Sequence, residues 1–202
     1  MVAGNPVLES LGSDPLRAFQ DWYTEALDAQ VPAADAMTLA TATRDGVPSA
    51  RIVLYKGIEE GKLLFVSNYE SKKGTELTHN PFAALVFFWP ALNRQVRLEG
   101  EVVQASDQRS DRYFAARPRE SQLGAWASAQ SQVVASRGEL ERRFAELELG
   151  FSGQPVPRPK HWGVYLFTPR RIEFWLGQNA RLHDRFSYTR QGDLWQCERL
   201  CP

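Results

Sequence analysis

The sequence lacks an excess of charge of either sign, and it has little cysteine. Its 202 residues include 24 Lys plus Arg and 24 Asp plus Glu, so the formal net charge is zero. A protein that mainly coats nucleic acid or an anionic membrane needs surplus cations, so the balance argues against both classes. The two cysteines, Cys197 and Cys201, are too few for a secreted disulfide scaffold, and their spacing is not Cys-x-x-Cys.

Targeting signals and common catalytic motifs are also missing. Residues 1–6 show no basic stretch followed by an apolar run, and no apolar run approaches a membrane span, so we expect a cytoplasmic protein without a membrane partner. No dinucleotide-binding glycine pattern, phosphate-binding loop, His-Glu-x-x-His or Gly-x-Ser-x-Gly occurs. His79, His161 and His183 are far apart in the sequence, so we expect no metal site.

The composition that remains is that of a globular protein with a large core. Hydrophobic residues make up 43% of the chain and aromatic residues 11%, including six Trp, which is rich for this size. A chain of this length forms one domain. We therefore predict a flexible N-terminal segment over residues 1–12, which are small and polar, and a single domain over residues 13–202.

The local patterns predict an α+β fold that is mainly antiparallel β, a barrel with inserted and peripheral helices. A helix is expected from Ser13-Asp14-Pro15 to about Ala29, and a second from Ser71 to Asn80. Residues 107–149 are expected to be mostly helical, ending in an exposed charged helix from Ser136. The predicted strands are Met37–Thr43, Ser49–Tyr55, Lys62–Ser67, Phe82–Trp89, Gln95–Gln104, Trp162–Thr168, Arg171–Trp175, Arg185–Arg190 and Leu194–Leu200.

Two features of strand arrangement are also predicted. The first three strands follow one another with short turns and are expected to form an antiparallel meander. The strand Phe82–Trp89 is nearly all apolar, and we expect it to be central and covered on both faces.

A first basic cluster lies at the second strand and the helix that follows. Arg51, Val53 and Tyr55 share one strand face, with Lys56 at the strand end. Lys72 and Lys73 occupy the first turn of the helix, beside its free N–H groups. Cations next to such groups are typical of a phosphate site, and the alternative is a solvated basic face on an edge strand.

A second cluster is Arg181-Leu182-His183-Asp184-Arg185, at the entry to a strand. Alternation in that strand would place Arg181, His183 and Arg185 on one face. Arg beside His suits an anionic group and proton movement near neutral pH. A hairpin cluster of salt bridges is the other interpretation.

A third cluster contains Tyr113, Arg117 and Ser121. Tyr113 and Arg117 are one helical turn apart, and Ser121 follows Pro118, where a new helix can begin. A phenol, a guanidinium and a hydroxyl form a plausible second phosphate clamp, whereas the alternative is a proline-broken connector with an exposed Arg.

Together these segments resemble the FMN-dependent pyridoxamine (pyridoxine) 5′-phosphate oxidase family, from about Asp14 to Pro202. The motifs that carry the resemblance are Arg-Ile-Val-Leu-Tyr-Lys at 51–56, Ser-Lys-Lys at 71–73, Arg-Pro-Arg-Glu-Ser-Gln at 117–122, Gln-Ser at 130–131, Glu-Phe-Trp at 173–175 and Arg-Leu-His-Asp-Arg at 181–185. The resemblance implies an FMN-binding split barrel that forms a homodimer with FMN at the subunit interface.

The resemblance also implies roles for individual residues. Those that would contact FMN are Arg51, Ile52, Val53, Leu54, Tyr55, Lys56, Val66, Ser67, Lys72, Lys73, Gln95, Gln130, Ser131, Trp175 and Arg185. Those that would bind the substrate are Lys56, Tyr113, Arg117, Ser121, Arg181, Leu182 and His183. Arg181 and His183 would be the catalytic pair over the pyridine ring.

The implied reaction is the oxidation of pyridoxine 5′-phosphate and pyridoxamine 5′-phosphate to pyridoxal 5′-phosphate, with hydride transfer to flavin N5 and O₂ reduced to H₂O₂. The alternatives are a phenazine-type FMN oxidase on the same fold and a flavin- or pyridoxal-phosphate-binding protein without turnover. The clamp of Tyr113, Arg117 and Ser121 argues against the first alternative, because a phenazine carries no phosphate. The Arg181–His183 pair argues against the second.

Overall fold

The computed structural model describes residues 11–202. This part of the chain contains the five α-helices α1 (Pro15–Asp28), α2 (Lys72–His79), α3 (Asp107–Ala115), α4 (Arg119–Ala127) and α5 (Arg137–Gly150). Its nine strands are β1 (Ala36–Ala42), β2 (Pro48–Leu54), β3 (Ile58–Glu59), β4 (Lys62–Asn68), β5 (Phe82–Trp89), β6 (Arg94–Gln104), β7 (Trp162–Leu176), β8 (Asp184–Gln191) and β9 (Leu194–Arg199). Short 3₁₀ turns lie at Pro90–Leu92 and Asn179–Arg181.

One antiparallel sheet contains all nine strands and closes on itself as a barrel. The strand order is β2-β1-β5-β6-β7-β4-β3, with β8 and β9 continuing from β7. Closure comes from backbone hydrogen bonds between Lys56 N–H and Leu64 C=O (2.8 Å) and between Leu64 N–H and Gly57 C=O (2.9 Å). The predicted mainly antiparallel barrel with peripheral helices is therefore confirmed.

The predicted flexible segment over residues 1–12 is described only at its last two positions, since residues 1–10 lie outside the described residues. Leu11 is buried in the core, 3% exposed. The carbonyl of Gly12 accepts a hydrogen bond from the hydroxyl of Tyr188 at 2.8 Å. These contacts tie the beginning of the described chain to β8.

The predicted meander is incomplete at its third strand. β4 pairs with β7, from Leu63 opposite Phe167 to Asn68 opposite Trp162, and meets the chain that follows β2 only through β3 and the closing bonds of Lys56 and Gly57. The short strand β3 folds back on the start of β4 through a turn in which Glu60 and Gly61 have positive φ. That local hairpin occupies one side of β4, so its other side is available to a strand distant in sequence.

The predicted burial of β5 on both faces is also wrong. β5 is central, between β1 and β6. Its residues nevertheless alternate, with Leu85 and Phe87 fully buried and Phe82 and Phe88 more than half exposed. The exposed residues lie on the outer face of the barrel, which the single chain leaves uncovered.

The two predicted strands Trp162–Thr168 and Arg171–Trp175 form one strand, β7. The proline between them is tolerated because Pro169 lies opposite Gly100, where the β6–β7 register shifts. A Cβ on Gly100 would lie 2.2 Å from the carbonyl oxygen of Thr168, so only glycine allows this approach. The long β7 thereby pairs with β4 in its first half and with β8 in its second half.

Helix α1 buries one face in the hydrophobic core, as its amphipathic pattern predicts. Asp14 accepts hydrogen bonds from the backbone N–H groups of Leu16 and Arg17 and so caps the helix. Phe19 lies edge-on to Tyr55, with ring centroids 5.4 Å apart. This burial is worth roughly 1.5–3 kcal/mol for such a side chain.

Helix α5 is exposed, as predicted, and its N-cap is Ser136. Within residues 11–202 no helix is long and apolar enough to cross a membrane.

Candidate active site

A cavity of about 810 Å³ opens between β2, β4, the first turn of α2 and the α3–α4 connection. Fourteen of the predicted ligand-contacting residues line it: Arg51, Ile52, Val53, Leu54, Lys56, Val66, Ser67, Lys72, Lys73, Tyr113, Arg117, Ser121, Gln130 and Ser131. The first and third basic clusters, which lie far apart in the sequence, therefore meet across one cavity. Lys73 of the first cluster is buried, and so is Nη1 of Arg117 in the third, whereas Lys72 is exposed.

Lys73 is the most deeply buried cation in the cavity wall. Its residue is 8% exposed, and its Nζ donates to Gln130 Oε1 (2.7 Å), Ser67 Oγ (3.1 Å) and Ser71 Oγ (3.1 Å). All three acceptors are neutral, and no ion pair joins Lys73 to a carboxylate in the described part of the chain. Burial, aided by the charge of Arg51, lowers the pKa of Lys73 to about 8.

Helix α2 places Lys73 by packing its first turn tightly against the end of β4. Ser71 caps the helix and accepts from the Gly74 N–H. A Cβ on Gly74 would lie 2.0 Å from the carbonyl oxygen of Tyr69, so only glycine fits there. The neighbouring Lys72 remains largely solvated, with 66% of its side chain exposed.

Arg51 lines the same cavity but is already engaged by the protein. Its Nη1 donates to the Leu39 carbonyl at 3.2 Å and to Thr41, and its Nη2 donates to Ser49 and to Glu76 Oε2 at 3.3 Å. The sequence motif does not predict Glu76, because this carboxylate reaches Arg51 from a helix 25 residues further along the chain.

Arg117 forms the opposite wall of the cavity with aromatic partners. Its guanidinium lies 4.4 Å from the ring centroid of Trp162 and 5.6 Å from that of Phe114. Burial lowers the pKa of Arg117 and raises that of the neighbouring Tyr113. Among residues 11–202, Nη1 of Arg117 is buried without any hydrogen-bond partner.

The sequence reasoning did not include Trp162, which lines the cavity beneath Arg117. The carbonyl of Trp162 accepts a hydrogen bond from Arg158 at 2.7 Å, and Arg158 also pairs with Asp107 and Asp111 at 2.6 Å each. This network ties the loop before β7 to helix α3. Nothing in the local sequence distinguishes Trp162 from an ordinary core tryptophan.

Lys56 lies just after β2, as predicted, and its Nζ is 3.4 Å from Asp35 Oδ2. The Asp35 backbone carbonyl also accepts from the Tyr55 N–H at 2.8 Å. Tyr55 itself is 6% exposed and points into the core, so its side chain is not in the cavity.

The other predicted ligand contacts form a row on neighbouring strands, outside the cavity lining. Gln95 on β6 lies opposite Trp175 on β7, which lies opposite Arg185 on β8. Arg185 donates to Glu173 Oε1 at 3.0 Å and to the Cys201 carbonyl at 2.8 Å. For Arg185, the interpretation as a salt-bridge cluster therefore holds within a single chain.

The segment before β8 is a turn and not the start of a strand, so the predicted alternation of Arg181, His183 and Arg185 is wrong. Ala180 and Arg181 both have positive φ, a conformation that is costly outside glycine and that clusters at functional sites. His183 packs against Trp175 with ring centroids 4.7 Å apart. Its Nδ1 accepts from the Gln178 N–H at 3.1 Å.

Within the described residues, no group of three or more His, Cys, Asp or Glu side chains is arranged to hold a metal ion. Cys197 and Cys201 are both exposed free thiols.

Comparison with known proteins identifies the family. The model described as "Pyridoxamine 5'-phosphate oxidase" matches residues 23–149, and the model described as "Pyridoxine 5'-phosphate oxidase C-terminal dimerisation region" matches residues 162–202. This chain belongs to the pyridoxamine 5′-phosphate oxidase family. The expected family is thus confirmed over most of the chain.

Curated relatives in this family match nearly end to end. The pyridoxine/pyridoxamine 5′-phosphate oxidase of Rubrobacter xylanophilus is 55% identical over 189 residues, which cover 94% of this chain and 87% of the relative. That of Paraburkholderia phytofirmans is 50% identical over 201 residues, covering 98% and 94%.

Solved structures carry the same fold. PhzG from Burkholderia lata, in complex with tetrahydrophenazine-1-carboxylic acid, superposes with a TM-score of 0.92 at 30% identity and covers 100% of this chain and 99% of its own. A pyridoxamine 5′-phosphate oxidase-related FMN-binding protein from Nostoc punctiforme gives 0.74 at 18% identity, covering 94% and 98%. The second similarity bears on the fold alone.

Proposed function

We propose that this chain oxidises pyridoxine 5′-phosphate and pyridoxamine 5′-phosphate to pyridoxal 5′-phosphate, with FMN as cofactor and O₂ as the acceptor that becomes H₂O₂. The observation that carries the proposal is Arg117, whose Nη1 is buried in the cavity wall without a partner among residues 11–202. A buried cation without a partner is costly unless an anion completes it. The curated relatives are named for substrates that carry such an anion, a phosphate.

The donors on the opposite wall suit a second phosphate, that of FMN. Lys73 is desolvated and bonded only to neutral oxygens, and the α2 N-terminus lies beside it. The residues of the cavity that would hold FMN are Arg51, Ile52, Val53, Leu54, Lys56, Val66, Ser67, Lys72, Lys73, Gln130 and Ser131. Two separate groups of cations in one cavity are better explained by two phosphorylated ligands than by a single ligand.

When bound, FMN supplies the acceptor for two electrons from the C4′ carbon of the substrate and passes them to O₂. The chain's own residues bind and orient the substrate. Lys56, Tyr113, Arg117 and Ser121 hold its phosphate, which fixes one end of the pyridine ring. With pyridoxamine 5′-phosphate the overall reaction also consumes water and releases ammonia.

His183 and Arg181 are proposed to act over the pyridine ring. Because Nδ1 of His183 accepts the Gln178 N–H, a neutral ring carries its proton on Nε2, where it can be donated to the substrate. Packing against Trp175 restricts the ring to this orientation. Arg181 would offset negative charge on the substrate, with Leu182 beside it.

The row of Gln95, Trp175 and Arg185 is proposed to complete the FMN site of a partner protomer in a homodimer. These residues lie on strands β6 to β8, outside the lining of their own chain's cavity. The outer barrel face also exposes Ile52 and Phe88, at 62% and 56%. The description of residues 162–202 as a dimerisation region supports this arrangement.

The proposal is tested with the purified full-length protein. We expect a yellow flavin spectrum that bleaches when pyridoxine 5′-phosphate is added without oxygen, and that returns on aeration with one H₂O₂ per pyridoxal 5′-phosphate. Bound flavin that does not bleach would indicate a binding protein without turnover. Bleaching by a reduced phenazine carboxylic acid but not by pyridoxine 5′-phosphate would instead indicate a phenazine-type oxidase; the similar PhzG structure holds tetrahydrophenazine-1-carboxylic acid.

A further inference from the structure

We propose that Glu76 is the positioning residue of the FMN-phosphate site: its carboxylate fixes Arg51 and the first turn of α2, so that Lys72 and Lys73 meet the phosphate. The inference rests on the proposed function, since it takes the phosphate to be that of FMN. Glu76 is not a cavity-lining residue and would act through the groups that it holds.

Glu76 joins three elements from a buried position. It lies on α2 and is 4% exposed. Its Oε2 accepts from Thr41 on β1, and both oxygens accept from Ser49 on β2, at 2.9 Å and 2.7 Å. Thr41 and Ser49 are themselves opposite one another in the β1–β2 ladder. The carboxylate therefore locks the helix to the hairpin that carries Arg51.

The same contacts determine what Arg51 can do. Each of its terminal nitrogens has two acceptors, which match the two N–H groups on each, and one of these acceptors is Glu76. Arg51 is therefore already saturated at its terminal nitrogens, and pulling it to a ligand would leave Glu76 buried with one fewer partner. At the N-terminus of α2, Lys73 has no carboxylate partner within residues 11–202, and the exposed Lys72 is held only loosely, with its Nζ 4.0 Å from Glu76 Oε1. These two cations are the ones that the helix presents to a phosphate.

Glu76 also keeps its charge and supports that of Lys73. Burial alone would raise the pKa of Glu76, but hydrogen bonds from Thr41 and Ser49 and the charge of Arg51 outweigh burial and lower it. Burial and Arg51 lower the pKa of Lys73, whereas Glu76 opposes them. A neutral residue at position 76 would thus leave Lys73 less protonated.

Whether FMN affinity rises or falls when Glu76 is replaced distinguishes a positioning role from a purely electrostatic one. Removing a negative charge from a cationic cluster by itself strengthens the binding of an anion. Losing the hydrogen bonds that fix α2 to the β1–β2 hairpin and weakening the ammonium form of Lys73 both act the other way. We expect FMN affinity to fall, because Glu76 makes short, buried hydrogen bonds to Thr41 and Ser49. The gain in net positive charge does not replace these bonds.

The experiment compares the affinities of FMN and riboflavin for the full-length chain freed of flavin. The two ligands share the ring system, but only FMN carries a phosphate, so the ratio of their Kd values isolates the phosphate site. We expect Glu76→Ala to reduce the preference for FMN about tenfold and Glu76→Gln, which keeps one acceptor oxygen, about threefold. Riboflavin Kd should not change in either variant.

The matched control is Glu101→Ala, which removes an ion-paired glutamate from the same barrel, since Glu101 pairs with Arg170 on the outer surface. It should leave both Kd values within about twofold of wild type. An unfolding midpoint is measured for every variant. If Glu76→Ala does not fold, the ratio of the riboflavin and FMN Kd values of Glu76→Gln tests the inference.

Tighter FMN binding, or an unchanged ratio, in the Glu76 variants would overturn the inference and leave the proposed function standing. Equal loss of FMN and riboflavin affinity would also overturn it, because that pattern indicates a purely structural role. A wild-type chain that binds no FMN would overturn both the inference and the proposed function.

Discussion

Two groups of cationic residues on this chain differ in what accompanies their charges. In the cavity, Lys73 has only neutral oxygen acceptors, and Arg117 lies on aromatic rings with one nitrogen unpaired among residues 11–202. In the β6–β8 row, Arg185 pairs with Glu173, and on the adjacent strand β9 Arg199 pairs with Asp184. In the sequence the two groups look alike.

The presence or absence of a carboxylate partner indicates which cations are available to bind an anionic ligand. An arginine that already has a carboxylate partner gains little from a second anion, whereas a desolvated cation without one gains much. We therefore propose that the cavity contains the primary anion sites. In the same proposal, the row of Gln95, Trp175 and Arg185 contributes packing surface to the ligand more than unpaired charge. Three cations of the cavity already have a carboxylate partner: Arg51 and Lys72 lie beside Glu76, and Lys56 lies beside Asp35.

The prediction with the largest expected effect tests whether the cavity of one protomer and the β6–β8 row of its partner bind the same FMN. Lys73→Ala and Trp175→Ala should each weaken FMN binding by about 2–5 kcal/mol, since each removes a buried contact with the ligand. In heterodimers that combine the two variants, one of the two sites would have both groups intact. Titration of doubly tagged, purified heterodimers should therefore show wild-type FMN affinity in about half of the sites.

Heterodimers with no site of wild-type affinity would contradict the proposed division between protomers. Dimers in which both subunits carry Lys73→Ala serve as the control, because no combination of those chains restores the cavity.

A second prediction separates the two cation groups inside the cavity. Arg117→Ala should raise KM for pyridoxine 5′-phosphate by roughly 10- to 100-fold, because a charge-assisted contact to the phosphate is lost. FMN affinity should not change. Steady-state kinetics and a flavin titration test this, with Arg119→Ala as control, since Arg119 binds the carbonyls of Phe151 and Gln154 instead. Loss of FMN from Arg117→Ala would show that the assignment of the two phosphate groups is wrong.

A third prediction follows from the lowered pKa of Lys73. The charged and polar groups around its ammonium are Arg51, Glu76, Ser67, Ser71 and Gln130. Its free-state pKa of about 8 means that FMN affinity is highest below pH 8 and falls above it, by up to about tenfold per pH unit, as the ammonium deprotonates. The phosphate stays doubly charged there, since its second pKa is about 6.

Flavin titrations from pH 7 to pH 9.5 test this prediction, with riboflavin as the ligand that should not respond. Lys73→Arg, which keeps its charge throughout, should remove the pH dependence. A dependence that persists in Lys73→Arg would assign it to another group.

The smallest expected effect compares two helix caps. Ser71→Ala and Asp14→Ala each remove an N-cap and should each lower the free energy of unfolding by about 1 kcal/mol. Only Ser71→Ala should also weaken FMN binding, by a few fold, because Ser71 accepts from Lys73 Nζ. Denaturant unfolding and flavin titration of both variants test this prediction. Equal FMN affinities of Ser71→Ala and Asp14→Ala would show that Ser71 does not contribute to the FMN site.

Much of the local structure follows from the sequence because its causes are local. The Asp14 and Ser71 caps and the apolar face of α1 predict both helices to within a residue or two. The errors arise where partners are distant. The pairing of β4 with β7 and the continuity of β7 across Pro169 depend on residues about 70 to 100 positions apart.

The residues of the candidate site also fall into those that the sequence identifies and those that only the fold reveals. The motifs alone identify Lys73 and Arg117 as candidates, because the residue types and order are distinctive. They do not include Trp162, Glu76 or the pairing of Lys56 with Asp35, since each becomes relevant only through a contact across the fold.

By itself, the sequence determined the family, the kinds of secondary structure and the list of polar residues available for two phosphates, since these depend on residue type and spacing. Only the tertiary structure decided which of those charges are already neutralised and which face a cavity. The physical reason is that the electrostatic role of a side chain depends on its burial and partners. Lys73 and Arg51 have the same charge in the sequence, but in the fold one has neutral partners and the other a carboxylate.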